Sequence, residues 1–449
     1  MSLSHRRSAL KQFAATGLGW TLASGRLESA FAQVNSRDDA LAILRPYEGA
    51  TQWTRRAEEL EGRVVTGYQG WFNAPTDGAG RGWVHYPRGG KFEPGQCSID
   101  LWPDTSELSD DEKFETPFRR ADGSVAHVFS SHHPRTVVRH FSWMREHGID
   151  GAMVQRFAVE TRGAKSLAHF NRVLDSCRAG ANQHGRTYAL MYDLSGLGAN
   201  QIQVVIDDWK QLVDRMQLGR DDRDLAYLHV RKRPLVAIWG IGFNDQRRYT
   251  LEECEQLVRF LRDDPKYGGC TVLAGVPAYW RTLNRDAVTD PKLHDVLKQV
   301  DIISPWTVGR FGTPKAAAEH GTKVWLPDRE WCDRNQKILL PVAFPGFSWS
   351  NLRPGAKFDQ IPRGHGEFLW SQYVAARNAG LRTMYQAMFD ELDEATAIFK
   401  TDRNPPVGES RFVTTPDLPG DHFLWLTGQG ARLLRGDLTG EAMPMRRPN

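Results

Sequence analysis

Eight short apolar segments alternate with longer amphipathic segments along this chain, and this alternation constrains its fold more than any other feature. The predicted strands are 63–71, 151–157, 187–193, 234–240, 270–276, 301–306, 338–344 and 383–389. Helical spacing of apolar residues predicts helices at 135–147, 164–182, 202–216 and 251–262. The pattern is typical of an α/β chain folded as one closed (β/α)8 TIM barrel. A doubly wound open sheet is disfavoured, because the 67–70 turn is not a glycine-rich phosphate loop.

The predicted barrel occupies residues 63–403, after a lead-in at 33–62. The first connection, 72–134, is far longer than an ordinary one. It follows a strand end, so we expect it to wall a cleft on the catalytic face. Residues 404–449 are predicted to pack on the barrel as a short C-terminal extension, with a possible edge strand at 423–426.

Residues 1–32 resemble an export signal. Arg6 and Arg7 precede a modestly apolar stretch at 13–23, and 30–32 reads Ala-Phe-Ala, as at a signal peptidase site. Paired arginines favour the twin-arginine type, with an ordinary secretion signal or a disordered basic tail as alternatives. No stretch has the roughly 18 apolar residues of a membrane span. We therefore expect a periplasmic or secreted protein.

Charge and cysteine content disfavour several other functions. The net charge is only +4, so the sequence indicates no nucleic-acid-binding surface. The five cysteines are odd in number and lack CxxC spacing, which argues against a disulfide framework or a zinc cluster. His127, His132 and His133 lie in one loop without HxH or HExxH spacing, and Ser195 lacks a GxSxG motif. We expect a monomer that uses neither a metal nor another cofactor.

The predicted carboxyl ends of the strands carry aromatic, amide and charged residues. Aromatic rings stack on the faces of sugars, and amides and carboxylates bind their hydroxyl groups. The substrate-binding candidates are Tyr68, Gln69, Trp71, His85, Gln155, Arg156, Tyr192, Asp193, Trp239, Tyr279, Trp280, Trp306, Trp349 and Asp390. Any single aromatic also fits core packing, Asp193 also fits a helix cap, and Arg156 also fits an internal ion pair. The whole set favours a cleft for an oligosaccharide or polysaccharide.

The eighth predicted strand runs into four carboxylates within five residues, 390–394. At the carboxyl end of a barrel strand, two carboxylates three residues apart fit shared acid and base work on a glycosidic bond. Capping of the following helix is the structural alternative. For Glu394 to act as an acid near neutral pH, burial or the charge of Glu391 must raise its pKa. Arg156, Arg281 or a tyrosine hydroxyl is the expected partner of Glu391.

Three segments, 68–72, 82–85 and 389–398, resemble the glycoside hydrolase family 71/99-like proteins. Family 99 enzymes carry Asn-Glu-x-x-Glu-Gly-Thr-Gln-Ile after strand eight, and the chain has Asp-Glu-Leu-Asp-Glu-Ala-Thr-Ala-Ile at 390–398. The resemblance spans about 63–400 and implies a barrel acting on α-linked glycans, mannosides in family 99 and 1,3-glucans in family 71. It implies that Glu391 is a base removing the proton of the sugar 2-hydroxyl to form a 1,2-anhydro sugar, and that Glu394 is the acid/base.

The chain departs from the family 99 pattern at several positions. Asp390 replaces Asn, Leu392 replaces Trp, Asp393 replaces His or Gly, and Ala395 replaces Gly. Leu392 removes an aromatic ring beside the acids, so the identity of the sugar bound there is left open. The departures also leave a second function open, that of a carbohydrate-binding barrel without catalysis.

Overall fold

The computed structural model describes residues 34–446, which form a barrel wrapped by helices. The strands are β1 (Val64–Tyr68), β2 (Phe114–Arg119), β3 (Val125–Val128), β4 (Gly151–Phe157), β5 (Thr187–Asp193), β6 (His229–Val230), β7 (Arg233–Trp239), β8 (Thr271–Pro277), β9 (Ile302–Trp306), β10 (Ile338–Leu339), β11 (Val342–Ala343) and β12 (Met384–Gln386). The α-helices are α1 (Arg37–Leu41), α2 (Pro134–His147), α3 (Ala164–His184), α4 (Gln203–Gln211), α5 (Leu251–Asp263), α6 (Lys292–Gln299), α7 (Pro314–His320), α8 (Leu326–Arg334), α9 (Glu367–Asn378) and α10 (His422–Arg435).

The barrel closes because both ends of its parallel sheet belong to one stretch of chain. The strand order is β10-β9-β8-β7-β5-β4-β1-β12-β11, and β10 and β11 are the two halves of the seventh barrel strand. Pro341 separates the halves, since proline has no N–H for the ladder. Leu340 N–H donates to the Ile303 carbonyl at 2.9 Å, and Tyr385 N–H donates to the Pro341 carbonyl at 2.8 Å. The predicted (β/α)8 barrel is confirmed.

The parallel strands of the barrel are largely buried on both faces, which explains their continuously apolar sequences. β4 and β5 match their predicted bounds. β1 ends at Tyr68 instead of Trp71, because the N–H groups of Gln69 and Gly70 bond the carboxylate of Asp390 and leave the ladder. This exchange places the end of β1 against the acidic residues that follow β12.

The long connection after β1 contains the hairpin β2–β3 and contacts the loops after the seventh and eighth barrel strands. Asp100 is buried, and its carboxylate accepts N–H groups of Ser350 at 2.9 Å and Asn351 at 2.8 Å. The N–H of Asp100 donates to the Leu392 carbonyl at 2.9 Å. This connection therefore lies at the carboxyl end of the barrel.

The C-terminal extension packs on the barrel through α10, so the predicted edge strand at 423–426 is wrong. Apolar residues continue at helical spacing to Leu434, and two glycines permit close contact with α2 and α9. A Cβ on Gly428 would lie 1.8 Å from the carbonyl oxygen of His147, and one on Gly430 would lie 2.6 Å from the Tyr373 ring. A helix packed this closely needs glycine at both positions.

The predicted export signal, residues 1–32, lies outside the described residues and stays a prediction. Within residues 34–446, no helix is both long and apolar enough to cross a bilayer. All five cysteines lie in that range, where each is a buried free thiol.

Candidate active site

Asp390 connects the acidic loop after β12 to the end of β1 through hydrogen bonds. Its carboxylate accepts the backbone N–H groups of Gln69 at 2.7 Å and Gly70 at 2.9 Å. Gly70 has φ +60°, a left-handed conformation that favours glycine and turns the chain here. Burial raises the pKa of Asp390 to about 7. Asp390 was predicted to bind substrate, but both of its oxygens bind protein backbone.

Glu391 is buried, and two side-chain donors hold its carboxylate. Gln69 Nε2 donates to one oxygen at 2.8 Å, and the Thr396 hydroxyl donates to the other at 2.6 Å. Burial, and after it the charges of Glu394 and Asp393, raises the pKa of Glu391 well above its ordinary value. The two donors favour the ionised form and oppose that rise. The two donors are thus the contacts that would stabilise a negative charge on Glu391, while burial and the neighbouring carboxylates favour its protonated form.

Glu394 keeps part of its side chain accessible. Burial, and after it the charge of Asp393, raises the pKa of Glu394 to about 7, while the charge of Arg353 opposes the rise. Among the described residues, no hydrogen-bond donor contributes to the pKa of its carboxyl group. Because the charge of Glu394 also raises the pKa of Glu391, the two groups titrate as a pair. A carboxyl group with this pKa retains a proton that it can donate near neutral pH.

His85, from the long first connection, stacks beside these carboxylates. Its ring lies on Trp71, with the centroids 3.8 Å apart and the planes 6° apart. Its Nδ1 lies 3.4 Å from Oδ2 of Asp393. The connection therefore contributes an aromatic stack next to the acidic loop, as a wall of the cleft would.

Gln155 points into the barrel, towards a group of aromatic side chains. Its Nε2 donates to the Tyr385 hydroxyl at 3.2 Å. Tyr385 packs on Trp306 and Trp306 packs on Trp239, with centroid distances of 6.3 and 5.6 Å. Burial, and to a lesser degree the charge of Glu391, raises the pKa of Tyr385. The aromatic group thus extends from the barrel interior to the vicinity of the carboxylates.

Several buried polar atoms at this end of the barrel have no protein partner. They include Gln69 Oε1, Trp71 Nε1, Gln155 Oε1, Trp239 Nε1 and Asp393 Oδ1. Buried polar atoms are nearly always hydrogen-bonded, either to protein or to ordered water. Both acceptors and donors occur in this set, which suits the hydroxyl groups of a sugar.

Three predicted binding residues, Tyr68, Arg156 and Tyr192, point outwards from the barrel. The Tyr68 hydroxyl lies 2.8 Å from Nδ1 of His140 on α2. Arg156 and Tyr192 both donate to Asp208 on α4, at 2.6 and 2.7 Å. Successive strand residues face opposite sides, so Gln155 points inwards and Arg156 outwards. These positions contradict a substrate-binding role, and Arg156 is not the partner of Glu391.

Two further candidates lie away from the acidic loop. Trp280 is fully buried against Trp331, with a centroid distance of 4.8 Å, which contradicts a binding role. Tyr279 lines a separate cavity, beside Arg281. Arg281 pairs with Asp328 at 2.7 Å, so it does not hold Glu391 either.

Asp193 and Trp349 occupy different positions at the carboxyl end of the barrel. Asp193 accepts the Ser195 N–H at 2.7 Å, so it caps a turn, and burial raises the pKa of Asp193. Trp349 is partly exposed and follows Ser348, whose N–H donates to the Glu394 carbonyl at 3.0 Å. Trp349 is therefore on a loop that contacts the acidic loop.

The sequence analysis missed Thr396 and Asp100, which organise the site. Thr396 belongs to the motif at 390–398, so the resemblance itself was the signal for its role. Asp100 stands between Ile99 and Leu101, and an acid flanked by apolar residues is a signal for a buried, hydrogen-bonded carboxylate. Ala395 has φ +53°, a conformation that favours the glycine of the family motif.

The loop histidines have separate surroundings. Nδ1 of His132 lies 3.2 Å from Nδ1 of His169, and Nε2 of His169 lies 2.8 Å from the Gly70 carbonyl. His133 Nε2 lies 3.7 Å from Asp111. Across residues 34–446, no group of three or more His, Cys, Asp or Glu is arranged to hold a metal ion.

Two similar solved structures are of the GH99 endo-α-mannosidase from Bacteroides thetaiotaomicron, one of them in complex with Bis-Tris propane. In both, the identity is 17%, the match covers 84% of this chain and 99% of that chain, and the TM-score is 0.60. A scan against protein-family models and a search of curated proteins give no match. At this identity the similarity establishes the fold alone, a (β/α)8 barrel like that of the GH99 endo-α-mannosidase.

Proposed function

We propose that this protein is an exported glycoside hydrolase that cleaves α-linked glycans of the mannoside or glucan type. The observation that carries the proposal is the pair Glu391 and Glu394, whose pKa values are raised by burial and by neighbouring carboxylates, Glu394 and Asp393 for Glu391 and Asp393 for Glu394. The partnerless polar atoms and partly exposed tryptophans around the pair suit a sugar. The mannosidase activity of the similar structures supports the choice of an α-mannoside as the first substrate to test.

The two carboxyl groups have different surroundings, which support different roles. The donors from Gln69 and Thr396 stabilise a charge on Glu391, the proposed base. Glu394 lacks such donors among the described residues, and its pKa of about 7 suits the proposed acid. The active form of the pair carries one proton, on Glu394.

For an α-mannoside, whose 2-hydroxyl lies trans to the glycosidic oxygen, the proposed reaction has two steps. Glu391 removes the proton of the sugar 2-hydroxyl, the 2-oxygen attacks the anomeric carbon, and Glu394 protonates the departing glycosidic oxygen. Water then attacks the anomeric carbon of the 1,2-anhydro sugar and gives a proton to Glu394, while the 2-oxygen takes its proton back from Glu391. Each step inverts the anomeric carbon, so the product retains the configuration of the substrate.

The test is a screen of α-mannan, α-1,3-glucan and aryl α- and β-glycosides, with products followed by NMR. We expect one α-linked substrate to release a sugar that is first seen as its α-anomer, and the E391Q and E394Q variants to be nearly inactive. A first product of β configuration would contradict the two-step reaction. Glycan binding without hydrolysis would overturn the hydrolase proposal in favour of a carbohydrate-binding barrel.

A further inference from the structure

A second cavity, of about 450 Å³, opens among the connections that follow β8 and β9. It is lined by six residues of the segment 278–285, by Arg310 and Phe311, and by parts of α7, α8 and the turn between these helices. Neither Glu391 nor Glu394 lines it. The cavity follows barrel strands five and six, so it is at the same end of the barrel as the acidic loop.

Cations dominate the lining of this cavity. Arg281 pairs with Asp328 at 2.7 Å, and Lys323 pairs with Glu319 at 2.9 Å. Arg285 is exposed, has no carboxylate partner among the described residues, and donates to the Tyr279 hydroxyl at 2.6 Å. The cavity therefore presents a positive charge that is free to bind an anion.

Arg285 is also held in place by Tyr279. Its guanidinium carbon lies 4.3 Å from the centroid of the Tyr279 ring, a distance at which cation and ring attract each other. The contact and the hydrogen bond reduce the freedom that Arg285 would lose on binding a ligand.

Two buried polar atoms on lining residues lack a partner, and they indicate a ligand with hydroxyl groups. Asp328 has a side chain 1% exposed, and its second oxygen has no hydrogen bond of ordinary geometry, although Trp280 Nε1, which also lacks a partner, is a neighbouring donor. His320 is 6% exposed, and its Nε2 also has no hydrogen bond. A simple anion such as sulfate has no hydrogen-bond donor to offer Asp328. A sugar hydroxyl can donate to Asp328, and the cavity volume lies in the range of sites for small organic molecules.

We propose that this cavity binds an acidic sugar unit, with its anionic group on Arg285 and its hydroxyl groups towards Asp328 and His320. The rings of Tyr279 and Phe311 supply the apolar lining for the sugar ring. This site lies beyond the proposed hydrolase centre. Its test measures binding alone, so its failure would leave the hydrolase proposal unaffected.

The experiment is calorimetric titration of the full protein with D-glucuronic acid, D-glucose and sodium sulfate. We expect glucuronic acid to bind about tenfold more tightly than either glucose or sulfate, the ratio expected for one charged hydrogen bond. Arg285→Met keeps an unbranched apolar stem over Tyr279 and removes the charge, so we expect it to weaken glucuronic acid binding about tenfold.

Arg248→Met is the matched control, because Arg248 is an exposed arginine that does not line the cavity. We expect this variant to bind glucuronic acid like the wild type. Equal binding of glucose and glucuronic acid, or an unchanged affinity in Arg285→Met, would overturn the proposal. Sulfate binding as tightly as glucuronic acid would show a site for free anions and would also overturn it.

Discussion

Replacing Glu394 by Gln should change the pH dependence of folding stability in a defined direction. Burial raises the pKa of Glu394 from 4.5 to about 7 in the folded protein. Between these values the folded state holds a proton that the unfolded state releases, so the stability contributed by the protonated group is lost as pH rises. At about 1.4 kcal/mol per pKa unit, the full shift corresponds to about 3 kcal/mol. Partial exposure of Glu394 lowers the expected effect to about 2 kcal/mol.

Glutamine carries no charge at any pH in this range, so E394Q does not lose the stability that the wild type loses when the buried carboxyl group of Glu394 ionises. We expect E394Q and the wild type to differ little at pH 4, and E394Q to be more stable by about 2 kcal/mol at pH 8. Removing the charge of Glu394 also lowers the pKa of Glu391, which further increases the stability of E394Q relative to the wild type at high pH.

The assay is urea unfolding followed by tryptophan fluorescence at pH 4, 6 and 8. E330Q, at an exposed glutamate on α8, is the control and should follow the wild type at every pH. A difference between E394Q and the wild type that does not change with pH would refute the raised pKa of Glu394 and the acid role that rests on it.

Three other substitutions test neighbouring contacts. Thr396→Val removes a charged hydrogen bond to Glu391 and should lower kcat/KM about 10- to 100-fold. Thr427→Val, in α10, is the control and should leave kcat/KM unchanged. Equal activities of the two variants would exclude the role of Thr396. Ala395→Gly should raise the free energy of unfolding by about 0.5–1 kcal/mol, because Ala395 has a positive φ, and a loss of stability in urea would contradict this. Asp390→Asn places an amide N–H against a backbone N–H and should cost about 2 kcal/mol of stability, which unchanged urea unfolding would disprove.

The barrel could be predicted because its elements are marked locally in the sequence. The helices before β4 and β5 end at Gly148 and Gly185, both in left-handed conformation, and continuously apolar strands follow. Pro341 marked the seventh strand less clearly, since it divides that strand into two short halves. The apolar run at 423–426 was misread because a short apolar run fits a strand and a helix equally well.

The acidic pair could be found because it stands in a motif at a strand end, but its partners could not. Gln69 reaches Glu391 across 322 positions of sequence, and only the closed barrel brings β1 and β12 together. Arg156 and Tyr192 were selected as strand-end residues without regard to which side of the strand they face. Alternation along β4 and β5 places both on the outer side, next to Asp208.

The most direct test of the acid–base pair compares a natural glycan with an α-glycosyl fluoride, whose leaving group needs no proton. The first turnover of α-mannosyl and α-glucosyl disaccharide fluorides is followed by fluoride release, beside hydrolysis of the glycan that the wild type cleaves. We predict that E394Q loses about 1,000-fold on the glycan but stays within about tenfold of the wild type on the fluoride, while E391Q loses about 1,000-fold on both. Wild-type rates for both variants on both substrates would contradict the assignment of Glu391 and Glu394 as the catalytic pair.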